Sequence, residues 1–492
     1  MSSGKLTQQQ RQILLVVLIP VFMSLLSVSI VNVVLPAIGR DLGAPSSALQ
    51  WVLSGYTLSF GVLLVAAGRA GDVYGRGRLF VIGSILFGAA SLLAGLAPND
   101  IVLNLARILM GFGSGLLNPQ TVGLIQQYFS GPERGRAFGY FGSTVGISVA
   151  IGPVLGGVFM AAFGDGWGWR ASFLINVPFA LIGAFAAFRL FPASAWTGAA
   201  DTAETDGRGK SRADMDPVGT VLFALAILLI MLPFMERALG AWVFSLVFVG
   251  IALIGVWVAW EKRYKARGRE PMVDLSLFRI PSFANGSLLI GLYFMGTTSI
   301  WVVSAVFLQG GHDFTALQAG LIGLPGALGT IGTSAWAGRR VFAYGRRLVL
   351  WGMVIAIVCV AGSISVVLLA QAGLVSIWWL MLPLSVLGTA QGVIVSPNQT
   401  LTLLEVPVRD SGAAGGVLQT GQRVGTAVGI AAITGTLFAV QATAGWDAAF
   451  ITAFTVIGVI MSAAAAVAVW DVIVSGRRGG GQPPGRKTVS SS

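Results

Sequence analysis

Charged side chains make up only 10% of the 492 residues, and the chain has one cysteine and one histidine. So little charge, set against 55% hydrophobic residues and a mean hydropathy of +0.82, excludes a soluble globular protein of ordinary composition. The lone Cys359 excludes an intrachain disulfide and a thiolate metal site, and it is expected to pack as a small hydrophobe. The lone His312 falls in a polar turn, so no His-Glu-x-x-His or Ser-His arrangement lies in an apolar run. Nothing therefore supports an intramembrane enzyme, and no catalytic residue, metal or cofactor is assigned.

What the chain has in abundance is apolar runs of about twenty residues, the length a helix needs to cross a hydrocarbon core of about 30 Å. Barrel strands would be about half as long. The expected spans lie near 13–36, 49–68, 79–97, 101–129, 137–162 and 172–191, then 218–235 and 241–260, then 282–308, 316–337, 348–370, 375–397, 412–440 and 447–471. This predicts an all-α polytopic membrane protein with 14 transmembrane helices in the order six, two, six. Its segments are a cytoplasmic tail (1–12), an N-terminal six-helix bundle (13–191), a cytoplasmic linker (192–217) and two inserted helices (218–260). A basic cytoplasmic loop (261–281), a C-terminal six-helix bundle (282–471) and a disordered cytoplasmic tail (472–492) follow. The first run, Ile13–Leu35, is longer than a signal-peptide core and is expected to be a retained span.

A net charge of +12 would suit a nucleic-acid partner, but the distribution of the charge argues against one. Lysine and arginine concentrate on alternate loops, the exceptions being Arg40, Arg170 and Arg237 on the opposite loops and Arg107 and Arg423 within spans. By the positive-inside rule both termini are cytoplasmic, in a multi-pass protein of the plasma membrane whose surrounding partner is the lipid bilayer.

One stretch organises the rest. Gly68–Arg78 reads Gly-Arg-Ala-Gly-Asp-Val-Tyr-Gly-Arg-Gly-Arg between two spans, and Gly338–Leu348 repeats it as Gly-Arg-Arg-Val-Phe-Ala-Tyr-Gly-Arg-Arg-Leu. The match pairs Gly68, Gly75 and Arg76 with Gly338, Gly345 and Arg346, as expected of two repeated six-helix halves. Glycine permits the sharp turn, and Asp72 is placed to accept hydrogen bonds from arginines or helix-terminal amides. We expect Asp72 and Arg76 to pair across the interface between halves when the cytoplasmic side is closed, forming a gating latch; the plainer alternative is a basic turn that only sets topology. In the repeat Phe342 replaces the acid, so that copy should keep its charge and lose this acceptor.

These motifs resemble the major facilitator superfamily and, within it, the fourteen-span drug:proton antiporter branch. The resemblance rests on Asp72, Gly75 and Arg76, with Val73 where an arginine is usual, and on Leu105, Arg107, Gly111 and Gly113 in the fourth span. It rests also on Gly152, Pro153, Gly156 and Gly157 in the fifth, on Gln50, Trp51 and Tyr56, on Trp169, Arg170, Asn176 and Pro178, and on Asp216 and Gly219. It implies a monomeric secondary transporter that exports small amphipathic organic molecules by alternating access, with protons as the coupling ion. Gly146, Gly152, Pro153, Gly156 and Gly157 should then form a bent, smooth face between helices of opposite halves. The substrate and coupling cavity is expected among Ser27, Asn32, Tyr56, Arg107, Asn118, Gln120, Gln391, Asn398, Gln422 and Arg423. An intramembrane arginine costs at least about 2.5 kcal/mol unless it faces protein or water, which makes Arg107 and Arg423 the leading cationic groups.

Proton coupling meets an obstacle in the first span. Ser27 stands where the resemblance puts an acid, and a serine does not titrate near neutral pH. None of the 19 acidic residues is expected near the middle of a span. Coupling through a rim acid such as Glu236 or Asp41, titration of the substrate itself, and uncoupled facilitation all remain open. So do a lipid or metabolite exporter and a non-transporting sensor on the same fold.

Overall fold

Polar caps mark where the apolar runs become helices. Thr7 and Gln10 close a capping box at the start of α1 (Gln8–Leu42), which stops at Gly43 in a left-handed conformation. The Asn99 side chain accepts from the Val102 amide at the head of α4 (Asp100–Tyr128), and Thr315 with Gln318 repeats the capping box ahead of Ala316–Tyr344. The structure, a computed structural model, describes residues 6–198, 214–235 and 240–477. The expected outer turn with Glu236 and Arg237, most of the linker and the end of the C-terminal tail lie outside the described residues.

Among the described residues, 11 helical segments are long and apolar enough to cross a membrane. Two of them, of 60 and 66 residues, are double crossings. Gly131–Leu174 breaks at Gly164 (φ 71°), giving α5 before the break and a return into α6 (Asn176–Leu190). Ser411–Arg477 breaks in the same way at Gly445 (φ 83°) into α13 and α14. Ala316–Tyr344, which is α10, is 29 residues long but rich in glycine, so it completes the set of 14 crossings at lower hydropathy.

The first bundle comprises α1, α2 (Ser46–Tyr74), α3 (Arg76–Gly95), α4, α5 and α6. The second comprises α9 (Pro281–Gly311), α10, α11 (Arg346–Gln371), α12 (Met381–Thr402), α13 and α14. The inserted α7 (Pro217–Met235) and α8 (Ser245–Ala266) pack on each other, and Met231 of α7 touches Gly61 of α2. The bundles are all-α with a continuous apolar core, as expected.

The two most extensive helix contacts between the halves, α2 with α13 and α5 with α10, both use glycine. A Cβ on Gly68 of α2 would collide with the Gly412 carbonyl of α13, and one on Gly338 of α10 would collide with the Gly135 carbonyl of α5. The repeat seen in the sequence thus marks the closest approach at each interface. Bonds between the halves gather on the side that carries the Gly75 turn, called the hinge side here, and run inward to mid-depth. Gln126 donates to Leu403 O at 2.6 Å, Ser143 to Ile331 O at 2.7 Å and Gln419 to Asn118 O at 3.4 Å. On the far side, the ion pairs among the described residues stay within one half, as in Arg40–Asp165, Arg170–Asp41 and His312–Asp447. The molecule is closed on the hinge side.

Candidate functional site

The hinge pairs Asp72 with Arg76 as expected, but within one half and not across the interface. Gly75 sits at φ +99°, a conformation that glycine adopts without strain, so α2 ends and α3 begins within one residue. That turn stacks Asp72 and Arg76, both buried and both on the first half, into a 2.7 Å ion pair. They do not pair across the interface; together they grip the other half. Asp72 accepts from the Gly412 amide at 3.1 Å and the Ala413 amide at 3.0 Å, at the start of α13, where the helix dipole favours an anion. Arg76 donates to Val408 O at 2.6 Å and Ser411 Oγ at 2.9 Å on the same partner, and to Gly123 O and Gln127 Oε1 on its own half.

The repeated copy solves the same problem differently. Arg346 does have an acid, Asp471 of α14, at 2.6 Å, and it also donates to Asn398 Oδ1 and Ser282 O. Gly345 turns the chain at φ +55°. All these partners lie within the second half, so this arginine ties that half together and does not cross the interface. Asp471 was missed in sequence because 125 residues separate it from Arg346. Its one signal is that it is an acid at the end of an otherwise apolar run.

At mid-depth the first half holds a polar network. Arg107, 1% exposed, donates to Val52 O at 2.7 Å and to Ser27 Oγ at 3.0 Å, and its guanidinium lies 4.4 Å from the Tyr56 ring centre. The Tyr56 hydroxyl donates to Ser24 O at 3.0 Å and lies 2.7 Å from Ser114 Oγ. Asn118 donates to Ser24 Oγ at 3.2 Å and to Ser114 O at 3.0 Å. Ser24 and Ser114 were not anticipated, although they precede Ser27 and Asn118 by three and four residues and so share their helix faces.

Arg423 of α13 reaches this network from the other half. Its guanidinium lies 4.4 Å from the Phe60 ring centre, and Phe60 and Tyr56 sit 5.9 Å apart. Among the described residues, neither Arg107 nor Arg423 pairs with a carboxylate. Two guanidiniums therefore flank an aromatic pair at the boundary between the halves. Such an arrangement offers π faces and N–H donors together.

The other expected residues scatter. Gln120 is fully buried and donates to Ala67 O at 2.8 Å, fastening α4 to α2. Asn398, also fully buried, supports Arg346 and donates to Gly286 O at 3.0 Å. Gln391 and Gln422 are half-buried, and Asn32 is exposed on α1 with its amide on Val28 O. The glycine face of α5 divides: Gly135, Gly139, Gly142 and Gly146 meet α10 of the opposite half, whereas Gly152 and Gly156 meet Ser29, Ile30 and Val33 of α1 in their own half. Gly157 borders open space, and Pro153 lies inside the helix beside Gly152. The expectation that this whole face lies between opposite halves holds only for its first part, because beyond mid-depth α5 runs along α1.

A profile of the Major Facilitator Superfamily matches residues 17–430, and the chain belongs to that family. It is a secondary membrane transporter of small molecules with the all-α fold of its family. A probable actinorhodin transporter of Streptomyces coelicolor is 35% identical over 426 residues, 85% of this chain and 70% of that one. A puromycin resistance protein of Streptomyces alboniger is 32% identical, covering 85% and 80%, and a cephamycin export protein of Amycolatopsis lactamdurans is 28% identical, covering 84% and 82%. Among solved structures, a proton:xylose symporter, XylE, superposes with a TM-score of 0.65 at 15% identity, over 94% of this chain and 95% of that one. The human organic anion transporter MFSD10 superposes with a TM-score of 0.62 at 14% identity, over 93% and 100%.

Proposed function

We propose that the chain exports small amphipathic organic molecules that carry an aromatic system and an anionic or phenolic group, by rocking of its two halves about the Tyr56–Phe60 site. The observation that carries this reading is the seating of Arg107 and Arg423 on those two rings without a carboxylate to neutralise either. A site of this kind favours a guest that brings negative charge and π surface, and it repels cations. The export and resistance activities named for the relatives supply the direction.

On this reading the hinge side faces the cytoplasm, where the positive-inside rule puts it together with both termini, and the chain works as a monomer in the plasma membrane. Asp72 and Arg76 form the cytoplasmic latch. Gly68 and Gly338 let the helices meet, and Gly75, Gly345 and Arg346 shape the turns. Ser27 supplies Arg107 with a neutral acceptor, so no proton is carried at this site, and titration or the gradient of the substrate drives the cycle.

The test is counterflow in proteoliposomes with aromatic anions and aromatic cations, each with and without a pH gradient. Saturable counterflow of anions is expected, at rates independent of the gradient for an anion that does not titrate. Counterflow of cations alone, or rates that follow the gradient with a non-titrating substrate, would overturn the reading.

A further inference from the structure

Two carboxylates meet at the hinge-side end of the inserted helix pair. Asp216 immediately precedes α7 and caps it, its Oδ1 accepting from the Gly219 amide at 2.9 Å and from the Trp260 indole at 2.9 Å. Glu261 comes from α8. A Cβ on Gly219 would collide with Asp216 Oδ2 and lie 3.0 Å from Glu261 Oε1, so the two oxygens border the same point above a residue that has no side chain. Asp216 is 0% and Glu261 1% exposed. Neither Asp216 Oδ2 nor either Glu261 oxygen completes a hydrogen bond, although the Met272 and Val273 amides and the Trp257 indole surround Glu261.

The charged groups around the pair are engaged elsewhere. On α2, Arg69 pairs with Glu270 at 2.6 Å and donates to the Asp214 carbonyl. On α8, Lys265 pairs with Asp274 at 2.7 Å; burial opposes the charge of Asp274, yet Lys265 and Ser276 hold its carboxyl below the usual range. Tyr264 donates to Asp214 Oδ1, and Arg269 donates to the Tyr264 hydroxyl at 3.5 Å. Arg267 and Arg269 border an adjoining cavity of about 250 Å³ that Asp216 also lines, and neither forms an ion pair with Asp216 or Glu261.

Two adjacent carboxylates that are buried and not ion-paired do not readily both stay ionised, because each desolvated charge raises the cost of the other. We propose that Asp216 and Glu261 hold one proton between them, making the base of the inserted hairpin a proton-binding site separate from the Arg107 region. The proton lies between Glu261 and Asp216 Oδ2, closing a hydrogen bond that joins α7 to α8. When it leaves, two negative charges face each other and the contact opens. The bound form therefore belongs to the lower pH, and the hairpin loosens as pH rises. The carboxylates of Asp72 and Asp471, by contrast, are each paired with an arginine.

The experiment is infrared spectroscopy of the purified full chain in liposomes. At neutral pH the native protein should show a protonated-carboxyl C=O band that shifts in deuterated buffer and disappears in one step as the pH is raised. In Glu261→Gln, which mimics the protonated acid and keeps the contact closed, that band should be lost. No such band in the native protein at neutral pH would overturn the proposal, and so would a band that persists unchanged in Glu261→Gln. The native titration decides the matter by itself should the variant fail to fold.

Discussion

Arg107 donates a hydrogen bond to Ser27 across 3.0 Å, so the intramembrane arginine of α4 is answered by a neutral hydroxyl from α1. An acid at position 27 would pair with Arg107 and compete with any anionic guest. The serine leaves the charge unspent. Introducing the acid with Ser27→Asp should raise the KM for an aromatic anion at least about tenfold, since one charge-assisted contact is worth about 1.5 to 3 kcal/mol. Counterflow kinetics check this, and an unchanged KM would show that Arg107 does not meet the substrate.

The latch gives a conformational prediction. Asp72→Asn removes the charge that Arg76 and two α13 amides share, and breaking one partner of a buried pair costs about 3 to 5 kcal/mol. That is enough to shift a two-state equilibrium well over tenfold. Spin labels at the exposed Tyr74 and Leu404, on opposite halves of the hinge side, should report a new longer-distance population. An unchanged distance distribution would reduce the hinge to a topology-setting turn.

The glycines give a contrast. Gly338→Ala puts a methyl group into the Gly135 carbonyl, whereas Gly157→Ala meets nothing within 4 Å. The first should slow transport severalfold and lengthen the Tyr74–Leu404 distance, and the second should leave both near native. Equal behaviour of the two variants would contradict the interface assignment.

Arg346 and Asp471 are predicted to act on stability within their half. Asp471→Asn leaves a buried guanidinium short of its acid and should destabilise the protein by about 3 kcal/mol or more. Replacing both with apolar residues of similar volume should recover much of the loss. Thermal unfolding in detergent measures both, and a Tm indifferent to Asp471→Asn would mean that the pair contributes nothing.

Much of the architecture was legible because local rules write it into the chain. Span length follows from bilayer thickness, the Gly164 and Gly445 breaks sit in short turns between apolar runs, and the repeated hinge announces two halves. The site was harder to read. Periodicity placed Arg107, Tyr56 and Ser27 inside spans, but only packing brings them together and adds Phe60, Ser24 and Ser114. Packing also draws Gln120 and Asn398 into helix contacts, because a long amide that finds a backbone carbonyl is as good a fastener as a binding group. Non-local pairs such as Arg346 with Asp471 leave no trace in spacing.

The claim that Arg107 and Arg423 read the charge of an aromatic guest is tested most directly by competition in counterflow between an aromatic carboxylate and its neutral amide. In the native protein the carboxylate should compete at least about tenfold better, the worth of one charge-assisted contact. In Arg423→Gln that preference should collapse while the amide competes as before. A native transporter that treats the two compounds alike would contradict the account.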